Sequence, residues 1–217
     1  QKKGSKTVYL RAGTAHEVFT DCVDDIDGAI AAAKKAGARH IFLAGHSTGC
    51  QKVAYWASKR KDARVRGLVF FGPLSDYSGA LQSKGAAWMS RGAAHARKRV
   101  GAGKAHELMP PALSEWFACD AQRFLSLYTP DSAEEIFSYA RPARIPRTLH
   151  KIKMPIFVLL AGADEYGDRP VDEIYWWFLN HIYEGEAAII PKVPHSFKGG
   201  EARSARLIKD FMKECLQ

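Results

Sequence analysis

The chain has 217 residues, 47% of them hydrophobic and 25% charged, which suits one sizeable core and excludes wholesale disorder. Its formal net charge is +9, but the basic runs Lys59–Arg60–Lys61 and Arg97–Lys98–Arg99 stand beside no nucleic-acid-reading element, so a solvated basic surface and no nucleic-acid partner are expected. The longest apolar run, Ile156 to Ala161, is too short to cross a bilayer, and no apolar stretch follows the charged start QKKGSKT, so neither a membrane span nor a signal peptide is expected.

In chain order, TVYL (7–10) suits a short strand. Residues 22–36 are Ala-rich with apolar positions at helical spacing, and Gly37 ends them. HIFLA (40–44) is a short continuous apolar run that suits a buried strand, residues 49–60 read as a helix, and VRGLVFF (65–71) as the next strand. From 75 to 150 the rhythm breaks. Gly, Pro and basic clusters separate short helical patterns such as AQRFLSLY and SAEEIFSYA, and no strong strand occurs. The alternation then resumes with strand MPIFVLLA (154–161), helix VDEIYWWFLNHI (171–182), strand AAIIP (187–191) and a closing helix over 201–216. Strands alternating with helices of this length predict an α/β fold, a mainly parallel sheet with helices on both faces. Residues 1–74 and 151–217 form the expected core, and 75–150 a helical cap insertion over the end of the sheet. Cys22, Cys50, Cys119 and Cys215 lack CxxC spacing, which suggests reduced thiols and a cytoplasmic location, with Cys50 a small buried hydrophobe.

Gly45-His46-Ser47-Thr48-Gly49 stands between a predicted strand and a predicted helix, the setting of a nucleophile elbow. Glycines two before and two after the serine are expected to let a strained turn pack past itself, holding the hydroxyl clear of the sheet at a helix N-terminus. The plainer alternative is a Gly-rich turn that only reverses the chain. A serine hydroxyl needs a base to take its proton, and the base needs a carboxylate to orient it. Such groups belong at the C-terminal ends of later strands. Asp164 follows IFVLLA; Asp168 competes, but helix capping accounts for it, and Asp172 and Glu173 suit the first helical turn. His195 stands between the last strand and the last helix. Among the other histidines, His46 lies in the elbow; His16, His40 and His150 precede predicted elements; His95 and His106 lie in the insertion; and His181 ends a helix.

With these residues in view, GHSTG (45–49), AGADE (161–165) and PHSF (194–197) resemble the elbow, acid loop and histidine loop of α/β-hydrolase enzymes. GHSTGCQK followed by FGPLSDY is similar to a bacterial and archaeal branch of that superfamily. The resemblance implies a triad of Ser47, Asp164 and His195, with the Thr48 backbone N–H as one oxyanion donor. It also implies several strands ahead of the nucleophile strand and a second oxyanion donor among them. Only 39 residues precede His40, so a further N-terminal segment, or a second polypeptide, is expected to complete the sheet. The leading expectation is a serine hydrolase that cleaves an ester or related acyl bond of a small-molecule substrate through an acyl-enzyme, with peptidase, thioesterase, lipase and carbon–carbon hydrolase all open and no metal or organic cofactor. The alternative is a non-catalytic binding protein that retains the fold. The aromatics Trp88, Trp116, Phe117, Phe124 and Tyr128 either line an acyl pocket or pack the insertion onto the sheet.

Overall fold

The computed structural model describes residues 2–3, 6–7, 13–114 and 118–217. Residues 8–10 of the expected first strand, and Trp116 and Phe117, lie outside the described residues. Two-residue strands β1 (Lys2–Lys3) and β2 (Lys6–Thr7) pair antiparallel. The elements that follow are α1 (Cys22–Lys35), β3 (Ile41–His46), α2 (Thr48–Lys59), β4 (Val65–Phe71), α3 (Asp76–Gly101), α4 (Ala121–Tyr128), α5 (Arg147–His150), β5 (Ile156–Ala161), α6 (Val171–His181), β6 (Gly185–Ile190) and α7 (Glu201–Glu214).

Strands β3 to β6 form one sheet in the order β3-β4-β5-β6, with every pair parallel. The two-residue period of a strand divides their side chains between two cores. Leu68 and Phe70 of β4 join Ile156, Val158 and Leu160 of β5 on one face, where Trp56 of α2 and Phe178 of α6 cover them. Val69, Phe157 and Leu159 face the other way, under Phe211 of α7. Because both faces are covered, all six residues of β5 are buried, and its sequence is continuously apolar instead of alternating. Among the described residues β3 pairs only with β4, and its flanks are half buried.

Between β4 and β5 the described residues hold helices and one isolated bridge, Leu108 to Asp120. The sequence suggests only short helical patterns there, yet α3 runs for 26 residues with a kink at Gly85 (φ 79°, ψ 162°). Its periodicity is faint because it packs through small residues, Ala80, Gly92, Ala93 and Ala96, rather than a bulky stripe. A Cβ on Gly92 would lie 2.1 Å from Cζ of Phe124, so glycine sets how closely α3 approaches α4. Trp88, Phe124 and Tyr128 pack on one another with ring centroids 5.0 to 5.6 Å apart. These three aromatics belong to the segment's own core, with Met89, Met109 and Leu127 among its other members.

SAEEIFSYA (132–140) is not a helix. Six consecutive residues, Glu134 to Tyr139, are buried, which a helix with one buried face does not allow but an irregular strand-like passage does. Three of them find separate partners: Glu134 pairs with Arg123, Ser75 donates its hydroxyl to Glu135, and Phe137 packs against Phe70 and Phe178. These contacts outweigh the local helical propensity.

Candidate active site

The carboxyl ends of the parallel strands converge, and each contributes to one cleft. β3 ends in His46 and delivers Ser47; the chain after β4 delivers Ser75 and Asp76; β5 leads to Asp164 and Glu165; β6 leads to His195. The cleft has a volume of about 710 Å³ and is bordered by His46, Ser47, Asp76, Glu165, Tyr166 and His195, with the start of α3 as one wall.

Ser47 is the N-cap of α2 with φ 56° and ψ −128°, a left-handed conformation that is strained for a residue with a Cβ. Two backbone bonds hold it there, from Ser47 N–H to Phe71 O (2.9 Å) and from Cys50 N–H to Ser47 O (2.9 Å). The two glycines of the motif differ in what they do. A Cβ on Gly45 would lie 2.3 Å from Gly49 O and 2.6 Å from Cys50 N, so the turn requires glycine at that position. A Cβ on Gly49 would meet nothing within 4 Å, contrary to the expectation that both glycines are needed for close approach. Cys50 is fully buried beneath the turn, its thiol directed at Gly45 O and Phe71 O, and burial pushes that thiol far up. Thr48 is the first residue of α2, so its N–H has no acceptor within the helix.

The acid and histidine loops meet because the β5–β6 ladder continues beyond the strands. Gly162 N–H donates to Ile190 O at 2.8 Å, and Ala163 N–H to Val193 O at 2.9 Å. A Cβ on Gly162 would lie 2.9 Å from Ile190 O and from Pro191 Cα, so glycine is what permits this approach. Asp164 and His195 are thereby brought together, with Oδ2 2.7 Å from Nδ1 and side chains 11% and 8% exposed. Asp164 Oδ1 also accepts the Tyr166 N–H at 3.0 Å. The Ser47 hydroxyl makes no hydrogen bond among the described residues, to His195 or to any other group; it shares the cleft with His195, behind which Asp164 stands.

Asp168 lies elsewhere. It accepts the Ser78 hydroxyl and the Arg169 guanidinium, while α6 begins at N-cap Pro170 without a side-chain cap bond. The helix-capping reading of Asp168 is therefore corrected: its carboxylate ties the start of α6 to the start of α3. Asp172 and Glu173 do stand in the first turn of α6, and His181 ends that helix with Nδ1 2.7 Å from Trp177 O.

Three residues near the cleft escape a reading of the sequence. His46 Nε2 lies 2.9 Å from His195 O, and the two rings sit 4.7 Å apart. Glu165 accepts the His195 backbone N–H at 2.8 Å, and that bond holds its carboxyl below the usual range. Asp76 accepts a bond from Gln51 of α2 at 3.2 Å; burial, with Glu134 adding to it, pushes its carboxyl up to about 7. The sequence signal for the first two is adjacency to Ser47 and Asp164. Nothing in the sequence separates Asp76 from any helix-initiating aspartate.

The model of a family described as a protein of unknown function (DUF1749) matches residues 14–214. No curated protein matches the chain. Solved structures with a similar course include Est1E from Butyrivibrio proteoclasticus, with TM-score 0.56, 17% identity and coverage of 92% of this chain and 72% of the other. A Paleococcus ferrophilus monoacylglycerol lipase gives TM-score 0.57 at 16% identity, covering 92% and 77%. The alpha/beta hydrolase GrgF from Penicillium sp. sh18 gives TM-score 0.60 at 15% identity, covering 92% and 73%. The fold is that of the α/β hydrolases. Among the described residues no helix is long and apolar enough to cross a membrane.

Proposed function

The chain belongs to the DUF1749 family, and from the α/β-hydrolase fold and the cleft at Ser47 we propose that it is a serine hydrolase of esters. The observation that carries the reading is that His195, 2.7 Å from Asp164, borders the same cleft as Ser47, which stands on a strained turn. In this mechanism Ser47 Oγ attacks the ester carbonyl carbon while His195 Nε2 takes its proton. The bond to the leaving alcohol then breaks, and the alcohol leaves with that proton. Asp164 holds the imidazole in the tautomer with Nδ1 protonated and stabilises the imidazolium. The Thr48 N–H, at the positive end of α2, receives the developing oxyanion. Water then clears the acyl-enzyme by the same steps with the same base.

Two features narrow the substrate. The residues bordering the cleft include the carboxyl groups of Asp76 and Glu165 and no lysine or arginine among the described residues, so neutral or cationic esters are favoured over anionic ones. The segment 75–150 serves as a cap, since the start of α3 walls the cleft. A fluorophosphonate probe tests the reading: labelling of the wild type that is lost in Ser47→Ala is expected. A folded wild type that does not label refutes it and favours a binding protein on the same fold.

A further inference from the structure

We propose that His16, His106 and Asp120 form a binding site for a divalent transition-metal ion, where the helical segment 75–150 meets the residues that precede α1. The three come from separate parts of the chain. Nδ1 of His16 lies 3.0 Å, and Nδ1 of His106 2.8 Å, from the same oxygen, Oδ2 of Asp120. The Asp120 side chain is completely buried, whereas the His16 and His106 side chains are 41% and 63% exposed.

The arrangement is held by the backbone. Asp120 Oδ1 accepts the Arg123 N–H at 2.7 Å as the N-cap of α4, which fixes the direction of Oδ2. Asp120 N–H donates to Ala15 O at 2.8 Å, and Gln122 Nε2 to Glu17 O at 2.7 Å, which fastens the turn bearing His16 to α4. Ala121 N–H donates to Glu107 O at 3.1 Å and Gln122 N–H to Ala105 O at 3.0 Å, which fastens the turn bearing His106. Both imidazoles are thus carried on turns anchored to the first residues of one helix.

A carboxylate withdrawn from water needs a cation against it. The cations nearby are engaged: Arg123 pairs with Glu17 and Glu134, and Arg99 and Lys104 pair with Glu107. No lysine or arginine pairs with Asp120 among the described residues; its side-chain partners are the two imidazoles. The three candidate donor atoms lie within 4.8 Å of one another. Around a tetrahedral zinc ion with bonds of 2.0–2.1 Å, donor atoms stand about 3.3 Å apart. An ion therefore needs the two Nδ1–Oδ2 separations to widen by a few tenths of an ångström, and the two exposed imidazoles can turn to set the distance between their own nitrogens. Imidazole with carboxylate suits zinc-like ions and not calcium or magnesium, which prefer all-oxygen sites. The exposed side leaves the remaining coordination to water. The site shares no residue with the Ser47 cleft and does not depend on the hydrolase reading.

The test uses the untagged full chain, stripped with a chelator and then dialysed against Zn²⁺. The wild type is expected to retain one zinc per chain and to melt about 5–10 °C higher at a hundredfold excess over Kd, an increase that the chelator reverses. The His16→Ala/His106→Ala double variant takes both imidazoles from buried Asp120, so it is expected to melt below the metal-free wild type, and added zinc should not raise its melting temperature. It should weaken zinc binding by more than the about 10–100-fold that loss of an outer hydrogen-bond partner costs a metal site. Asp120→Asn keeps the acceptor for Arg123 and should also lose the zinc. A wild type that binds no stoichiometric zinc overturns the proposal, and so does a double variant that retains it.

Discussion

The elbow motif contains two glycines, and alanine at each should act with opposite sign. At Gly45 the new Cβ would meet Gly49 O at 2.3 Å, Gly49 C at 2.4 Å and Cys50 N at 2.6 Å. All three are backbone atoms of the first turn of α2, so no side-chain rotation relieves the clash; β3 and α2 must separate. Overpacking against fixed atoms costs about 3 kcal/mol at the upper end of its usual range. For a chain of this size each kcal/mol moves the melting temperature by about 2–4 °C, so Gly45→Ala should melt about 6–12 °C below the wild type. At Gly49 the Cβ meets nothing, and the residue lies within α2. Alanine there restricts the unfolded chain and favours the helix by about 0.5–1 kcal/mol, raising the melting temperature by about 1–4 °C. Because Ser47 and its φ of 56° depend on the same turn, Gly45→Ala should also lower turnover of a neutral aryl ester, whereas Gly49→Ala should not. Scanning calorimetry of the three proteins decides the matter. A Gly45→Ala protein that melts with the wild type, or a Gly49→Ala protein that is the less stable of the two, refutes the reasoning.

Two other outcomes test the site and its surroundings. Asp164→Asn should lower kcat on an aryl ester by about 10⁴ by imposing the wrong imidazole tautomer, while Asp168→Asn, whose partners are Ser78 and Arg169, should lower it far less; equal losses would show that Asp168 serves the histidine. Burial raises Glu135 from an ordinary value of 4.5 to about 8 and Asp76 from 3.8 to about 7, so the folded chain holds these protons longer than the unfolded one. Their contribution to stability is full below the unfolded values and is lost as pH rises through the folded ones. Urea unfolding of the wild type should therefore show stability falling between about pH 5 and pH 8, with a shallower fall in Glu135→Gln, which keeps the Ser75 hydroxyl bond; an unchanged slope in the variant rules Glu135 out as a cause.

Much of this architecture was legible in one dimension. VRGLVFF is β4 to the residue, AQRFLSLY is α4, and the helices at 22–35, 48–59, 171–181 and 201–214 fall within a residue or two of their apolar periodicity. Those segments either bury one face or are buried on both, and burial on a regular element leaves a regular pattern. The helical course of 75–150 was legible only in part, because the close approach of α3 to α4 uses Gly92 and alanines, which leave no apolar stripe.

The sequence by itself determined the sheet's strands and nominated Ser47, Asp164 and His195, because a strand, a turn and a helix in succession constrain residues only locally. The tertiary structure alone decided which groups meet. The 2.7 Å contact between Asp164 and His195 rests on a ladder that runs past two strand ends and on the missing side chain of Gly162. The burial of 132–140 in an irregular course depends on Arg123, Ser75 and Phe178, which stand 11, 60 and 41 positions from Glu134, Glu135 and Phe137. His16 and Asp120, 104 positions apart, converge only because α4 anchors the turn that carries the histidine. Distances along the chain carry no information about such pairings, because they are fixed by how α3, α4 and the sheet pack and not by any local propensity.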